Sequence, residues 1–253
     1  PIPSPLDLGW TYYWAVDEVN DACAPGLWPG DVWSFTTRDY LVVEDFDSYA
    51  DSTALITVWK DWHDNVSKAE LFVMTPTIDA NLVQDGNSMK YKYGNLYDPW
   101  YAEADADTTD LPSQIGSDWI AEDVKALVLS FYGQSDNDAN EQMYVRLHDT
   151  DSNAVVTYGD YGEDPNDLRV EQWQEWNIDL QDPCLIAVDM NNVARVYIGF
   201  GGQKTGQTVA GAGELSVADT VWFDDIRLYP PRCLPEKVAT DITGDCTTDY
   251  LDQ

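Results

Sequence analysis

The sequence predicts an all-β protein whose main part is a two-sheet sandwich. Runs rich in Val, Ile, Tyr, Trp and Phe alternate with Asp, Asn, Gly and Pro along the chain, and this pattern indicates short strands joined by turns. Helical periodicity is almost absent. At 253 residues the chain is long enough for one large β-domain with a real core and for smaller pieces beside it.

The composition is that of a folded but strongly acidic protein. The chain has 46 acidic and 13 basic side chains, a formal net charge of −33, while 44% of its residues are hydrophobic. That apolar content argues against the disorder that usually accompanies such a charge. The charge repels nucleic acids and anionic membranes, so neither is expected as a partner. No apolar run approaches the roughly 18 residues of a membrane span.

The first 38 residues predict an antiparallel hairpin. Residues 10–19 and 31–37 are rich in aromatic and β-branched side chains and are joined by a Pro/Gly loop. Two strands alone are marginal in water. This piece is therefore expected to pack on a neighbour or to be the end of a larger domain in a longer precursor.

A larger unit is predicted from residue 39 to residue 232. In residues 141–148, Met143, Val145 and Leu147 share one face, while the opposite face carries polar and aromatic groups. One face of such a strand makes the core and the other decorates the surface of a sandwich. Strands are expected near 40–46, 55–62, 69–74, 87–93, 100–105, 125–132, 141–149, 153–158, 173–180, 194–200 and 220–229.

Acidic strands at both ends of this unit predict a metal ion that joins them. Asp45 and Asp47 lie in residues 42–49, and Asp224 and Asp225 lie in residues 221–228, all among large apolar side chains. Burial of an unpaired carboxylate is costly. The two strands are therefore expected side by side, with Asp45 or Asp47 meeting Asp224 or Asp225 around Ca²⁺. The alternative is that these acids are exposed at a strand edge or paired with Lys and Arg.

Residues 233–253 contain a second potential calcium site. Oxygen-bearing side chains fall at positions 1, 3, 5, 9 and 12 of a twelve-residue loop, the spacing by which such loops wrap Ca²⁺. These residues are Asp241, Thr243, Asp245, Asp249 and Asp252. Cys246 stands where Gly usually makes the sharp turn, and a solvated acidic tail is the alternative. Cys233 and Cys246 flank a short loop and are the expected disulfide pair.

Aromatic side chains predict a sugar-binding surface. Their rings can stack on the C–H faces of sugars, while neighbouring polar groups bond the hydroxyls. The alternative is that these rings fill the core. The predicted ligand-binding residues are Trp100, Tyr101, Tyr132, Tyr144, Arg146 and His148, with Trp173 and Tyr158 as further candidates.

Catalysis is not expected. Only His63 and His148 are present, and they fall on separate predicted strands. No nucleophile-elbow, zinc-binding or phosphate-loop motif occurs. The alternative is a pair of carboxylates for glycosidic cleavage, but in so acidic a chain the abundance of acids makes any chosen pair uninformative.

Three stretches resemble known families. Residues 10–19 (WTYYWAVDEV) with residues 32–37 (VWSFTT) resemble the last strands of a fibronectin type III domain. Residues 39–232, with VEDFDSY at one end and VWFDDIRL at the other, resemble a jelly-roll carbohydrate-binding module. Residues 241–252 resemble the first half of a type I dockerin repeat. The order of these pieces is similar to that in large secreted proteins of planctomycete-type bacteria.

The resemblance implies a two-sheet jelly-roll sandwich with a small N-terminal fibronectin-like β-hairpin and a C-terminal calcium loop. It maps a structural calcium most directly onto Asp47 and Asp225. The expected function is non-catalytic binding of an extracellular polysaccharide by a secreted or cell-surface protein. The alternative is a structural protein of the cell surface or extracellular matrix that self-assembles through β-strand edges. The C-terminal loop is then a potential contact for a protein partner.

Overall fold

The computed structural model describes residues 6–20, 22, 24, 26–60, 69–94, 101–201 and 219–231. Within them the protein is all-β, apart from one short α-helix and a few 3-10 turns. The chain divides into two compact units, Pro1–Leu41 and Val42–Gln253; the boundary predicted from the sequence lies at 38/39. None of the described helices is long and apolar enough to span a bilayer.

The first unit is built from short antiparallel strands. Its described residues form β1 (Thr11–Trp14), β2 (Glu18–Val19), β3 (Leu27–Trp28) and β4 (Trp33–Thr36). β1 pairs with β4 and β2 pairs with β3, both antiparallel, so the predicted hairpin is confirmed. The predicted strand over 10–19 is divided in two, and at the break the Asp17 side chain accepts a hydrogen bond from Gly30 N (3.0 Å).

The second unit contains the remaining described strands and the helix. The helix α1 spans Ser52–Val58, and brief 3-10 turns lie at Ala80–Leu82, Ala121–Asp123, Pro165–Arg169 and Pro183–Leu185. The strands are β5 (Leu41–Glu44), β6 (Glu70–Met74), β7 (Ser88–Tyr93), β8 (Tyr101–Asp107), β9 (Ala126–Tyr132), β10 (Met143–His148), β11 (Asn153–Thr157), β12 (Trp173–Asp179), β13 (Arg195–Gly201) and β14 (Asp219–Tyr229).

These strands form two sheets. One is four-stranded with the order β11-β10-β13-β8, and the other is six-stranded with the order β12-β9-β14-β7-β6 and β5 paired to β14. From β7 onward the chain crosses repeatedly between the sheets, as in a jelly roll. The prediction that the first and last strands of this unit lie side by side is confirmed by the β5–β14 pairing.

Aromatic side chains fill the space between the two sheets. Tyr91 of the six-stranded sheet donates its hydroxyl to Ile198 O of the four-stranded sheet (3.2 Å). The rings of Tyr93 and Phe200 stack across the same space with centroids 3.8 Å apart. The predicted alternation in β10 is confirmed, because Met143, Val145 and Leu147 are at most 1% exposed and Arg146 and His148 are half-buried.

The predicted strand over 55–62 is wrong, because residues 52–58 form α1. The run Ile56, Thr57, Val58 favours a strand by its β-branching, but Asp51 caps a helix by accepting from Ala54 N (2.9 Å). Leu55 and Trp59, four residues apart, are both fully buried. Tertiary packing of this single face therefore overrides the local propensity.

Candidate functional site

The acids at the β5–β14 closure are held mainly by backbone amides. Asp224 is fully buried, and its carboxylate accepts from the backbone N–H groups of Gln84 (2.9 Å), Asp85 (3.4 Å) and Asp225 (2.8 Å). Burial nevertheless raises the pKa of Asp224 to about 7. Burial also raises the pKa of Asp225; Arg227, which donates to its carboxylate, opposes the rise, and the charges of Asp85 and Asp45 add to it.

Another of the predicted metal ligands, Asp47, lies against a tight turn at Gly86. Asp47 Oδ1 accepts from Asn87 N at 2.6 Å. Gly86 has a positive φ of 66°, and a Cβ there would lie 1.7 Å from Asp47 Oδ1, so only glycine permits this approach. Among the described residues, no group of three or more His, Cys, Asp or Glu side chains is arranged to hold a metal ion. The calcium remains a prediction.

Several predicted residues lie outside the described part of the chain. They include one ligand-binding candidate, the whole C-terminal loop and the expected disulfide pair: Trp100, Asp241, Thr243, Asp245, Asp249, Asp252, Cys233 and Cys246. Of the four cysteines, Cys184 is described, and it is exposed and unpaired.

The outer side of the four-stranded sheet carries a dense set of charges, which we call the charged face. It comprises Glu103 and Asp105 of β8, Arg146 of β10, and Arg195 and Tyr197 of β13, which the strand register brings side by side. Arg146 pairs with Glu103 through both Nε (3.1 Å) and Nη2. Arg195 Nη1 lies 3.1 Å from Asp105 Oδ2. The guanidinium carbon of Arg146 lies 3.5 Å from the centroid of the Tyr197 ring.

Two of the predicted stacking rings are buried within this face. Tyr144 is 2% exposed and Tyr101 is 8% exposed, so neither offers an open ring face to a ligand. The Tyr144 ring lies across Gly199, where a Cβ would be 2.2 Å from its Cζ atom. Its hydroxyl donates to Glu103 Oε2 (3.0 Å), and burial, followed by the charge of Glu103, raises the pKa of Tyr144. Tyr144 is therefore a support for Glu103 and not a platform.

The structure does not bring all the predicted ligand-binding residues together. Tyr101, Tyr144, Arg146 and His148 share the outer side of the four-stranded sheet. Tyr132 lies on the outer side of the six-stranded sheet, where its neighbours across the strands are Trp173 and Trp222.

Sequence reasoning missed four members of the charged face, Glu103, Asp105, Arg195 and Tyr197. Tyr197 and Arg195 occupy alternate positions in β13, and the same alternation that singled out Arg146 and His148 applies to them. Glu103 did not stand out in the sequence, because the strand that contains it is rich in Asp and Ala. Its partners Tyr144 and Arg146 lie on β10, across β13, so only the register of the three strands reveals them.

Among the comparisons with known proteins, only the one with solved structures finds proteins similar to this chain. No protein-family model matches the chain, and no curated protein matches it. An exo-β-agarase has 13% identity over 77% of this chain with a TM-score of 0.49. The family 30 carbohydrate-binding module of a cellulosomal cellulase from Clostridium thermocellum has 12% identity over 76% of this chain and a TM-score of 0.45. A β-1,2-glucanase from Parabacteroides distasonis has 15% identity over 76% and a TM-score of 0.46.

The extent of these matches differs between the enzymes and the module. The chain spans 25% of the agarase and 25% of the glucanase, but 97% of the family 30 module. Modules of family 22 are also among the similar structures. The second unit is an all-β sandwich by its own strand arrangement, and the structural neighbours of the chain include carbohydrate-binding modules.

Proposed function

We propose that the second unit binds an extracellular polysaccharide without cleaving it, and that the charged face is the binding surface. The observation that carries this proposal is the Arg146 guanidinium stacked on the Tyr197 ring. Sugar-binding sites combine a flat apolar surface with a few fixed polar groups that pair with hydroxyls. The Arg146–Tyr197 pair supplies both within one contact.

The charged face is organised before any ligand arrives. Glu103 holds Arg146 through two nitrogens and is itself held by the Tyr144 hydroxyl. Among the described residues, no acceptor bonds Arg146 Nη1. Because these groups are already ordered, a sugar that binds them loses little free energy to side-chain ordering. The half-buried His148 lies two residues along β10 and extends the polar surface.

Affinity electrophoresis in gels containing neutral polysaccharides tests this proposal. We expect Tyr197→Leu, which keeps bulk but removes the ring, to weaken binding about tenfold, as for a well-packed contact residue. Lys125→Gln is the matched control, because Lys125 is a partly exposed residue whose ion pair with Asp123 lies elsewhere. Wild-type protein that migrates unchanged through a broad set of neutral glycans contradicts the proposal.

We also propose that Ca²⁺ stabilises the β5–β14 closure by drawing together the carboxylates of Asp45, Asp47 and Asp225, which do not form a ready-made metal site in the structure. The support is electrostatic: burial raises the pKa of the Asp225 carboxyl, and the neighbouring charges of Asp85 and Asp45 raise this pKa further. A hard cation with oxygen ligands relieves that repulsion. The melting temperature should fall when EDTA is added to calcium-loaded protein, and Asp45→Asn should reduce the fall. Identical melting curves with Ca²⁺ and with EDTA speak against the site.

A second candidate function is self-assembly at a cell surface or in an extracellular matrix. It is favoured by the aromatic side chains of the first unit, where Trp14 and Trp33 are 44% and 57% exposed and their ring centroids lie 4.8 Å apart. Contiguous apolar surface of this kind marks contact sites. Light scattering over a concentration series distinguishes the two functions: an increasing mass that Trp33→Ser abolishes favours assembly, and a constant monomer mass excludes it.

A further inference from the structure

A line of large side chains crosses the outer side of the six-stranded sheet. We call it the aromatic row. Its members are cross-strand neighbours in one continuous register, from β12 through β9, β14 and β7 to β6: Trp173, Tyr132, Trp222, Lys90 and Phe72. Core side chains alternate with these positions along each strand, so the row faces away from the space between the sheets.

Three rings of the row are in contact, each with its neighbour. The Tyr132 ring centroid lies 5.8 Å from that of Trp173 and 5.9 Å from that of Trp222. Two strand spacings, about 10 Å, separate β12 from β14, and two more lead to Phe72, which is 40% exposed. Tyr132 and Trp173 are half-buried. The row is therefore long enough for a chain of several sugar units laid across the strands.

The ring positions are fixed, and one polar group in the row lacks a partner. Trp173 Nε1 donates to Asn81 O (3.2 Å), which locks its indole. Trp222 is 6% exposed, and its Nε1 is buried with no hydrogen-bond acceptor among the residues that the structure describes. A buried hydrogen-bond donor without an acceptor is uncommon in folded proteins.

The two halves of the row differ in charge, and the positive charge lies in the half nearer β6. The Lys90 ammonium lies 5.6 Å from the Trp222 ring centroid, and within the described ranges Lys90 has no carboxylate partner. Lys92, next to it on the same side of β7, pairs with Glu70 at 3.0 Å. Burial, followed by the charge of Lys92, lowers the pKa of Lys90. A lysine without an acid is notable in a chain with 46 acidic and 13 basic side chains.

Acidic groups lie at the opposite end of the row. Burial raises the pKa of Tyr132, and the charges of Glu171 and Asp79 raise it further. A ligand with uniform negative charge therefore does not suit the whole row. A polymer of sugar rings with an anionic substituent at intervals suits the row, because its rings can cover Trp173 and Tyr132 while its anion reaches Lys90.

We propose that the aromatic row is a second polysaccharide-binding surface, and that it takes an acidic polysaccharide whose carboxylate or sulfate group is held by Lys90. The uncharged sugar faces lie on Trp173 and Tyr132, and the desolvated ammonium binds the anion beside Trp222. This site stands on the opposite sheet from the charged face and does not depend on it. A protein with both surfaces bridges two polysaccharide chains.

Titration calorimetry with three polymers tests the site: hyaluronan, which carries a carboxylate on every second sugar, a galactan with a sulfate on every second sugar, and a neutral β-glucan. Lys90→Gln should weaken binding of a charged polymer about tenfold, the scale of one charge-assisted hydrogen bond, and should leave the neutral glucan unchanged. Trp173→Ala should weaken the same charged polymer by a similar factor. Lys125→Gln is again the control, and melting curves verify that each variant is folded.

The outcomes separate this proposal from the one for the charged face. If Lys90→Gln loses binding of the acidic polymers and Tyr197→Leu binds them as the wild type does, the result supports a distinct second surface. Acidic-polymer binding that Tyr197→Leu removes and Lys90→Gln preserves assigns all binding to the charged face and overturns the row. No binding of either charged polymer by the wild-type protein overturns it too, whatever the neutral polymer does.

Discussion

Replacing Gly199 by alanine gives a sharp test of how the charged face is built. The added Cβ would lie 2.2 Å from Cζ and 2.4 Å from the hydroxyl of Tyr144, so the ring must move. Overpacking of this kind costs about 1–3 kcal/mol, and the lost bond from Tyr144 to Glu103 adds about 1.5–3 kcal/mol. The free energy of unfolding should therefore fall by about 2.5–6 kcal/mol.

Urea denaturation followed by tryptophan fluorescence measures this change, and a double-mutant cycle isolates its cause. In a Tyr144→Ala background the ring is gone, so Gly199→Ala should cost less than about 1 kcal/mol, since alanine fits a strand interior better than glycine. An equal loss of stability in both backgrounds would refute the contact between Gly199 and Tyr144 as the reason for the glycine.

Three further changes test other parts of the fold. Asp51→Ala removes the cap on Ala54 N and should cost about 0.5–2 kcal/mol in urea unfolding; an unchanged midpoint contradicts it. Asn137→Ala strips partners from the N–H and C=O of Thr220 and should cost about 2–5 kcal/mol. Backbone hydrogen bonds hold the pKa of Asp149 low, so Asp149→Ala should lower the melting temperature at pH 7, and this difference should vanish as pH falls well below 3.8.

The sequence predicted which side of its own strand a residue faces better than it predicted which residues of different strands lie together. Alternation along β10 correctly placed Arg146 and His148 away from the core, because strand periodicity is a local property. It also placed Tyr144 there, but burial of that ring depends on Gly199, which lies 55 residues away and meets it only through strand pairing. No local pattern carries that information.

The aromatic row shows the same limit. Tyr132 and Trp173 stood out as large rings on polar-facing strand positions, whereas Lys90 and Phe72 had no feature that linked them to those rings. Their alignment is produced by the register of several strands. The helix over 52–58 was missed for a related reason, because burial of Leu55 and Trp59 on one face outweighs the β-branched residues between them.

The pairing of β5 with β14 has a mechanical consequence. A pull transmitted along the chain from both sides of the second unit reaches these two neighbouring strands before any other part of the sandwich. Their shared hydrogen bonds, and any ion bound among Asp45, Asp47 and Asp225, therefore set the force at which the unit begins to open. The remaining strands are shielded from tension until that seam separates.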